Sequence, residues 1–320
     1  MKHFIYDDPE QCRRIWYATY PVNHIWDLWE VRSCFHEVYQ KPLQFHTIQN
    51  INRIVGLLPL SWNEETGQYV FFPGETWKGK TWLEQNRIIA ENGDVFYQLL
   101  QHVPNSLYLR YLTWHPFLSD LEETQADEVG YLFYPGLYDF IFENYWLGFS
   151  GKTRKKIKSE LKRLEDQKIT FRFDEVKDLD QMFLMNRISF LEDSYFDDPR
   201  FYNSFDRLAS MLSDMGMLRI VTVLIGGRIA AVDMGGVFKN TCTMFAGGTS
   251  QEFCGVAKLI NLHHMEWACR KRLDEVDFLC GDFNWKERFH LSPRPLFQIR
   301  LDKIIGAYVE VNHEKQTICA

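Results

Sequence analysis

Apolar and polar residues alternate along Leu43–Gln49, Arg53–Trp62 and Gln68–Pro73, and an Asn63–Gly67 segment containing Glu-Glu-Thr-Gly separates the last two. Alternation broken by a Gly-containing turn predicts antiparallel strands. Asp94–His102 has helical spacing, Ser106–Leu112 reads as another strand, and Gly130–Tyr134 as a short apolar one. The theme returns in the second half. A strand is expected over Lys168–Arg172, helices over Leu179–Leu191 and Phe205–Met215, and a meander over Leu218–Leu224, Arg228–Gly235 and Thr241–Gly247. Gly247-Gly248 breaks the last strand, and Cys254-Gly255 leads into Val256–Arg272, a helical pattern with Arg270, Lys271 and Arg272 in its last turn. Val276–Cys280 closes the series as a short apolar strand. Strands and helices in similar order on both sides of Gly148–Gly151 predict an α+β chain of two units. No sequence self-similarity marks those units as a repeat.

A turn that opens a helix directly after a strand leaves backbone N–H groups unpaired at a positive helix end. Thr241–Phe289 has that order and ends in a polar Gly281-Asp282 loop, which points to a ligand bearing phosphate or pyrophosphate. Lys152–Gln167 adds a second feature. Ile157, Leu161 and Leu164 form one apolar stripe of a helix, while Lys152, Arg154, Lys155, Lys156, Lys158, Lys162 and Arg163 fill most of the rest. Such a run is either a solvated face or a grip on a phosphorylated group.

These stretches resemble the acyl-CoA-binding end of the GNAT superfamily, and more narrowly the CelD/BcsL-type acetyltransferase family related to the FemABX peptidyltransferases. The run Asp277-Phe278-Leu279-Cys280-Gly281-Asp282-Phe283-Asn284-Trp285-Lys286 is similar to that family's D-F-x-x-G-(D/E)-x-x-Y-K, with Trp285 in the aromatic slot. Ser150-Gly151-Lys152-Thr153-Arg154-Lys155-Lys156-Ile157 resembles the basic helix that opens the family's second half. Ile225-Gly226-Gly227-Arg228-Ile229-Ala230-Ala231 resembles its hairpin with a Gly-x-x-Ala return strand. The matches fall in family order across Ser150–Phe289. Against the usual Gln/Arg-x-x-Gly-x-Gly/Ala pyrophosphate signature, Gln251 to Gly255 is one residue longer, while Gly255-Val256-Ala257 fits its end.

The resemblance implies tandem GNAT-like domains over residues 1–149 and 150–320, each a mixed, mostly antiparallel sheet flanked by helices, the second carrying the acyl-CoA site. It implies an N-acyltransferase that moves an acyl group from acyl-CoA (acetyl-CoA or longer) to the amine of a small molecule such as an amino sugar or amino acid. A Fem-like aminoacyl-tRNA-dependent transferase is the alternative among enzymes, although the coiled-coil insertion that Fem proteins often carry has no counterpart in this sequence. A non-catalytic binding protein with a degenerate GNAT site is the alternative outside them.

Acyl transfer to an amine requires a polarised thioester carbonyl, a proton acceptor and a stabilised leaving thiolate. The resemblance implies a polarising backbone N–H among Phe245, Ala246 and Gly247, and pyrophosphate contacts at Gly255, Val256, Ala257 and Lys258. The acids near the expected cleft are Asp233, Asp277 and Asp282. Asp282 follows a strand's C-terminal end, where side chains face ligand crevices, and is the expected group for orienting or deprotonating the amine. Lys286 pairs with an acid or grips an anionic substrate. Asp233 lies inside the apolar run IAAVDMGG, where an unpaired carboxylate is costly, so it is paired, cleft-facing or functional. Asp277, near a strand's start, reads as structural. Arg154 and Trp285 are candidate substrate contacts. His263 and His264 are adjacent on a helix, point about 100° apart and so form no common metal site; one is expected to pack and the other to be exposed. Cys254 and Cys280 read as small buried hydrophobes. The aromatics of Trp77–Trp82 and Tyr131–Trp146 read as interdomain core or as the wall of an acceptor groove.

Composition narrows the remainder. A length of 320 residues exceeds one ordinary compact domain, and 46% hydrophobic with 16% aromatic content supplies large cores. A net charge of −7 disfavours a protein that coats nucleic acid, so no DNA partner is expected. The seven cysteines (Cys12, Cys34, Cys242, Cys254, Cys269, Cys280, Cys319) lack a C-x-x-C pair, which predicts reduced thiols and no metal site. MKHFIYDDPEQC has no signal-like apolar core and no run reaches membrane-spanning length, so a cytoplasmic protein without a membrane span is expected.

Overall fold

The structure, a computed structural model, describes residues 1–51, 53–281 and 285–302. Its first half runs β1 (Lys2–Tyr6), α1 (Pro9–Thr19), α2 (Trp29–Tyr39), β2 (Leu43–Asn50), β3 (Arg53–Asn63), β4 (Gln68–Phe71), β5 (Ile89–Ala90), α3 (Gly93–Gln101), β6 (Leu107–Leu112), α4 (Pro116–Ser119) and β7 (Thr124–Phe133). Two helices, α5 (Phe142–Leu147) and α6 (Gly151–Glu165), follow. The second half runs β8 (Ile169–Phe173), α7 (Leu179–Phe190), α8 (Pro199–Asp214), β9 (Leu218–Ile225), β10 (Arg228–Phe238), β11 (Thr241–Thr249), α9 (Val256–Lys271), β12 (Glu275–Asp277), α10 (Trp285–Arg288) and β13 (Ser292–Leu301). With the two-residue β5 set aside, both halves have the order β-α-α-β-β-β-α-β-α-β.

Local chemistry explains where elements begin and end. Asp8, Asn92, Ser150 and Asp198 cap α1, α3, α6 and α8 by accepting backbone N–H bonds. The Asp198-Pro199 start carries α8 back to Pro199, well before the apolar pattern that begins at Phe205. β7 likewise starts at Thr124 rather than Gly130, because its polar first half is held by the backbone ladder to β13. β12 is shorter than the apolar run predicts. The carbonyls of Phe278, Leu279 and Cys280 leave the strand and accept from Lys286 Nζ at 2.9, 2.8 and 2.7 Å.

The strands join one 13-stranded sheet in the order β1-β2-β3-β4-β6-β13-β7-β12-β11-β10-β9-β8, with β5 on β3. Pairing is antiparallel except for β4 with β6 and β11 with β12, which are parallel. The last strand of each half crosses to the other: β13 lies between β6 and β7, and β7 lies against β12. One apolar core spans the junction. Trp26, Phe35 and Leu83 of the first half pack with Phe201, Phe205, Phe245 and Leu279 of the second. Among the described residues no helix is long and apolar enough to cross a membrane.

Arg294 on β13 sits opposite Gly130 on β7, and its guanidinium reaches over that strand to Asp277 on β12 at 2.9 and 3.2 Å. A Cβ on residue 130 would lie 2.8 Å from Arg294 Nη2. Alanine in a strand is ordinarily better than glycine by about 0.5–1 kcal/mol. Gly130→Ala should do the reverse and destabilise by about 1–3 kcal/mol, as overpacking does. A urea denaturation midpoint at or above wild type would contradict this account.

Candidate active site

β11 and β12 pair only from Thr241–Thr243 to Glu275–Asp277. Beyond that point β12 ends, while β11 continues to Thr249 along β10. The two strands therefore part, and the outer edge of β11 borders an opening. A register shift at Met234/Gly235 leaves Phe245 bulged, without a cross-strand partner in the ladder. Ser250 N–H donates to Ala230 O at 2.8 Å, so alternation turns Gly248 and Ala246 toward β10 and Gly247 and Thr249 toward the opening. Gly247 O accepts from Asn186 Nδ2 at 3.0 Å, and Ser194 Oγ donates to Asn186 Oδ1 at 2.9 Å. Of the three expected backbone positions, Gly247 faces the opening, Phe245 is the bulge and Ala246 faces β10. The Phe245 ring packs edge-on to Trp26 and lies 6.1 Å from Trp82, both from the first half.

The start of α9 stands next along the chain. Gly255 has φ +94°, a left-handed conformation that glycine adopts freely. No side chain caps this helix, in contrast to α1, α3, α6 and α8, and its first turn carries no acid. Val256 N–H goes to Phe253 O at 3.1 Å, Ala257 is exposed, and Lys258 is ion-paired with Glu160. Helix α6 packs here: Leu164 lies 3.7 Å from where a Cβ of Gly255 would be. The basic helix is thus brought to the start of α9. Arg154, Lys155, Lys158 and Lys162 line an open groove on its surface, with the Lys158 ammonium 5.7 Å from the Trp146 ring centre. Arg154 itself is ten residues before Leu164, about three turns away from Gly255.

The remaining expected residues divide. Asp233 is buried on β10 and 3.1 Å from Nε2 of the fully buried His264 on α9. Its partner in register is Gly247. His263 is not exposed either: it stacks on Phe171 at 4.2 Å and Phe173 at 5.7 Å, and burial pushes its pKa down to about 3. Both histidines therefore pack, where the sequence predicts one of them exposed. Lys286 is buried beneath the end of β12 with its pKa lowered by that burial. Trp285 meets Phe278 and Phe289 edge-on. Asp282 lies outside the described residues. Cys254 is exposed and Cys280 half-buried, so neither is the buried hydrophobe that the sequence suggested. Among the described residues no group of three or more His, Cys, Asp or Glu is placed to hold a metal ion.

Sequence reasoning missed a buried polar network where the halves meet. Asp277 accepts from Arg294, from Gln85 Nε2 at 2.8 Å and from Leu279 N–H at 2.9 Å. Glu84 Oε1 accepts from Cys280 N–H at 2.8 Å, and Arg294 lies 3.6 Å from Glu84 Oε2. Burial, reinforced by the charge of Asp277, pushes the Glu84 pKa up to about 7. In sequence, Glu84 and Gln85 are an ordinary polar pair after Leu83; only the fold brings them to β12.

Residues 151–287 match the family model described as an acetyltransferase (GNAT) domain. No curated protein matches the chain significantly by sequence. Among solved structures, the chain is similar to FemX, with a TM-score of 0.59 at 9% identity over 94% of this chain and 98% of that one. It is similar to L-PGS from Bacillus licheniformis, with a TM-score of 0.54 at 10% identity over 91% of each chain. It is similar to a tandem GNAT protein from the clavulanic acid biosynthesis pathway, with a TM-score of 0.50 at 11% identity over 96% of this chain and 100% of that one. At such identities the likeness is one of fold: a GNAT-like, mixed sheet flanked by helices. Residues 151–287 thus match a GNAT acetyltransferase domain, which supports an acyltransferase.

Lys286 offers a direct check on what ends β12. Its three carbonyl acceptors lose a charged donor in Lys286→Met, and a hydrogen bond to a charged group contributes about 1.5–3 kcal/mol. The variant should melt several degrees lower and exchange amide hydrogens faster over 278–281. An unchanged melting temperature would show that Lys286 does not hold the end of β12.

Proposed function

We propose that this protein is an N-acyltransferase that moves an acyl group from acyl-CoA to the amine of a small molecule such as an amino sugar or amino acid. In this reading residues 150–320 carry the site and residues 1–149 form a companion GNAT-like domain. The observation that carries it is the uncapped start of α9, set beside the opening between β11 and β12. Helix N-terminal amides without an internal acceptor favour a phosphate group. The backbone of Gly255–Lys258 then holds the pyrophosphate, and the edge of β11 at Phe245–Gly247 polarises the thioester carbonyl. Asp233, through His264, supports β11 from within. Asp282 orients the amine, with Trp285 flanking the same loop. Lys286 shapes that loop through its three carbonyl bonds. Arg154 and its neighbours on α6 attract the anionic parts of either substrate. This chemistry needs no metal and suits a cytoplasmic location, and the narrower CelD/BcsL-type reading rests on the Asp277–Lys286 motif.

The Fem-like reading, with an aminoacyl-tRNA donor, draws on the likeness to FemX and on the cation stripe of α6. Binding to a polyanion through that stripe would weaken steeply with salt. A non-catalytic binder would hold acyl-CoA without ever releasing thiol.

Gly255 separates charge from backbone. With φ at +94°, any side chain there is strained, but asparagine tolerates this region best and matches aspartate in shape. Gly255→Asp should bind acetyl-CoA at least about tenfold more weakly than Gly255→Asn in calorimetry, since its carboxylate stands where phosphate belongs. Equal affinities in the two variants would remove the pyrophosphate from this turn.

A further inference from the structure

We infer that Glu84, from the first half of the chain, is the carboxylate that takes the proton from the acceptor amine in the second half's active site. The inference rests on the acyltransferase reading above. Position is the first support. Leu83 shares a core with Phe245 on the β11 bulge and with Leu279 just past β12, so the segment around Glu84 forms the floor of the place where those strands part. Glu84 Oε1 is fixed there by the Cys280 N–H at 2.8 Å. The flanking Trp82, Cys280 and Gly281 are only half-buried, so Glu84 lies one residue below the surface.

The second support is the other oxygen. Glu84 Oε2 is buried with no hydrogen-bond partner, although Arg294 is 3.6 Å away. Glu75, similarly buried in the same loop, takes donors from Thr81 Oγ1, Trp82 N–H and Leu83 N–H on one oxygen. That is how a purely structural carboxylate is satisfied. Glu84 instead has the donor Cys280 N–H on Oε1 and none on Oε2, which leaves that oxygen unmatched.

The surroundings suit the task. Glu84 is faced by Asp277 from β12, Cys280 and Lys286 from the following loop and helix, Arg294 from β13, Tyr111 from β6 and Tyr195 from the α7–α8 connection. Burial and Asp277 raise its affinity for a proton, while Arg294 opposes them, and the balance lies at about 7. A base poised there can take up and release a proton near neutral pH.

The step balances as follows. Glu84 accepts one proton from the substrate ammonium, and the freed amine forms a C–N bond to the thioester carbonyl. The C–S bond breaks with its electron pair on sulfur, and the sulfur takes a second amine proton. The products are an amide and a free thiol, and Glu84 returns its proton to solvent.

The test uses the full chain with acetyl-CoA, offering glucosamine, glycine and lysine as amines and measuring thiol release and acetyl-CoA affinity. The amide of Glu84→Gln keeps the Cys280 bond. It should bind acetyl-CoA as wild type does, lose about 10²–10⁴-fold in kcat, and lack the acid limb near pH 7 that wild-type kcat shows. Should that variant fail to fold, Glu84→Asp retains the charge but withdraws it by one methylene. It should then fall at least about tenfold in kcat while keeping the acid limb. Turnover within about threefold of wild type in the soluble variant, or an acid limb that survives in Glu84→Gln, would overturn the role of Glu84 and leave the acyltransferase reading standing. A wild-type protein that neither binds acetyl-CoA nor releases thiol would overturn both.

Discussion

A charge buried between strands must be answered by another, and here that requirement fixes how the two halves join. Arg294 stands on β13, Asp277 on β12, and the strand between them is β7, crossed where Gly130 offers no side chain. Gln85 completes the carboxylate's partners from the first half's own loop. One ion pair thus spans three neighbouring strands and both halves. Removing one partner of such a pair typically costs about 3–5 kcal/mol, because the other charge is left stranded. Register follows from the same demand: a one-residue slip of β13 would turn Arg294 to the opposite face of the sheet.

From that junction the candidate site inherits its shape. The parting strands and the uncapped helix belong to the second half, but the aromatic floor does not. Trp26 and Trp82 reach across to the Phe245 bulge, and Glu84 reaches the first residues beyond β12. Neither half holds this arrangement alone.

The two halves share an order of elements yet differ at the matching place. β4 is four residues long, and the stretch after it turns back so that Asn86 bridges Leu112 beside β6. Arg32, fully buried, ties that stretch down through Phe72 O at 2.5 Å and Asn86 Oδ1 at 2.9 Å. The following helix, α3, is capped by Asn92. In the second half β11 runs nine residues and α9 has no cap. Among the described residues, the second half alone combines an open strand edge with an uncapped long helix directly after it.

The sequence by itself determined the elements whose side chains report their surroundings locally. Alternation marked β2, β3, β9, β10 and β11, helical period marked α7 and α9, and the Gly-rich break before α9 marked the candidate phosphate site. Where backbone or cap chemistry decides, the pattern was silent or wrong. The start of α8 is set by Asp198-Pro199, the polar half of β7 by its ladder to β13, and the early end of β12 by Lys286 gathering carbonyls. The site followed the same division. The backbone positions proposed for it lie on one contiguous stretch that the sequence pattern singles out; Asn186, Glu84 and Arg294 carried no such signal, because each acts on a residue between 17 and 196 positions away. Only the tertiary structure decided that β13 would enter the first half's sheet, that His264 would turn inward to Asp233, and that Glu84 would stand at the end of β12. Those outcomes are set by the pairing of buried charges and by the filling of a shared core, which depend on neighbours in space rather than on neighbours in sequence.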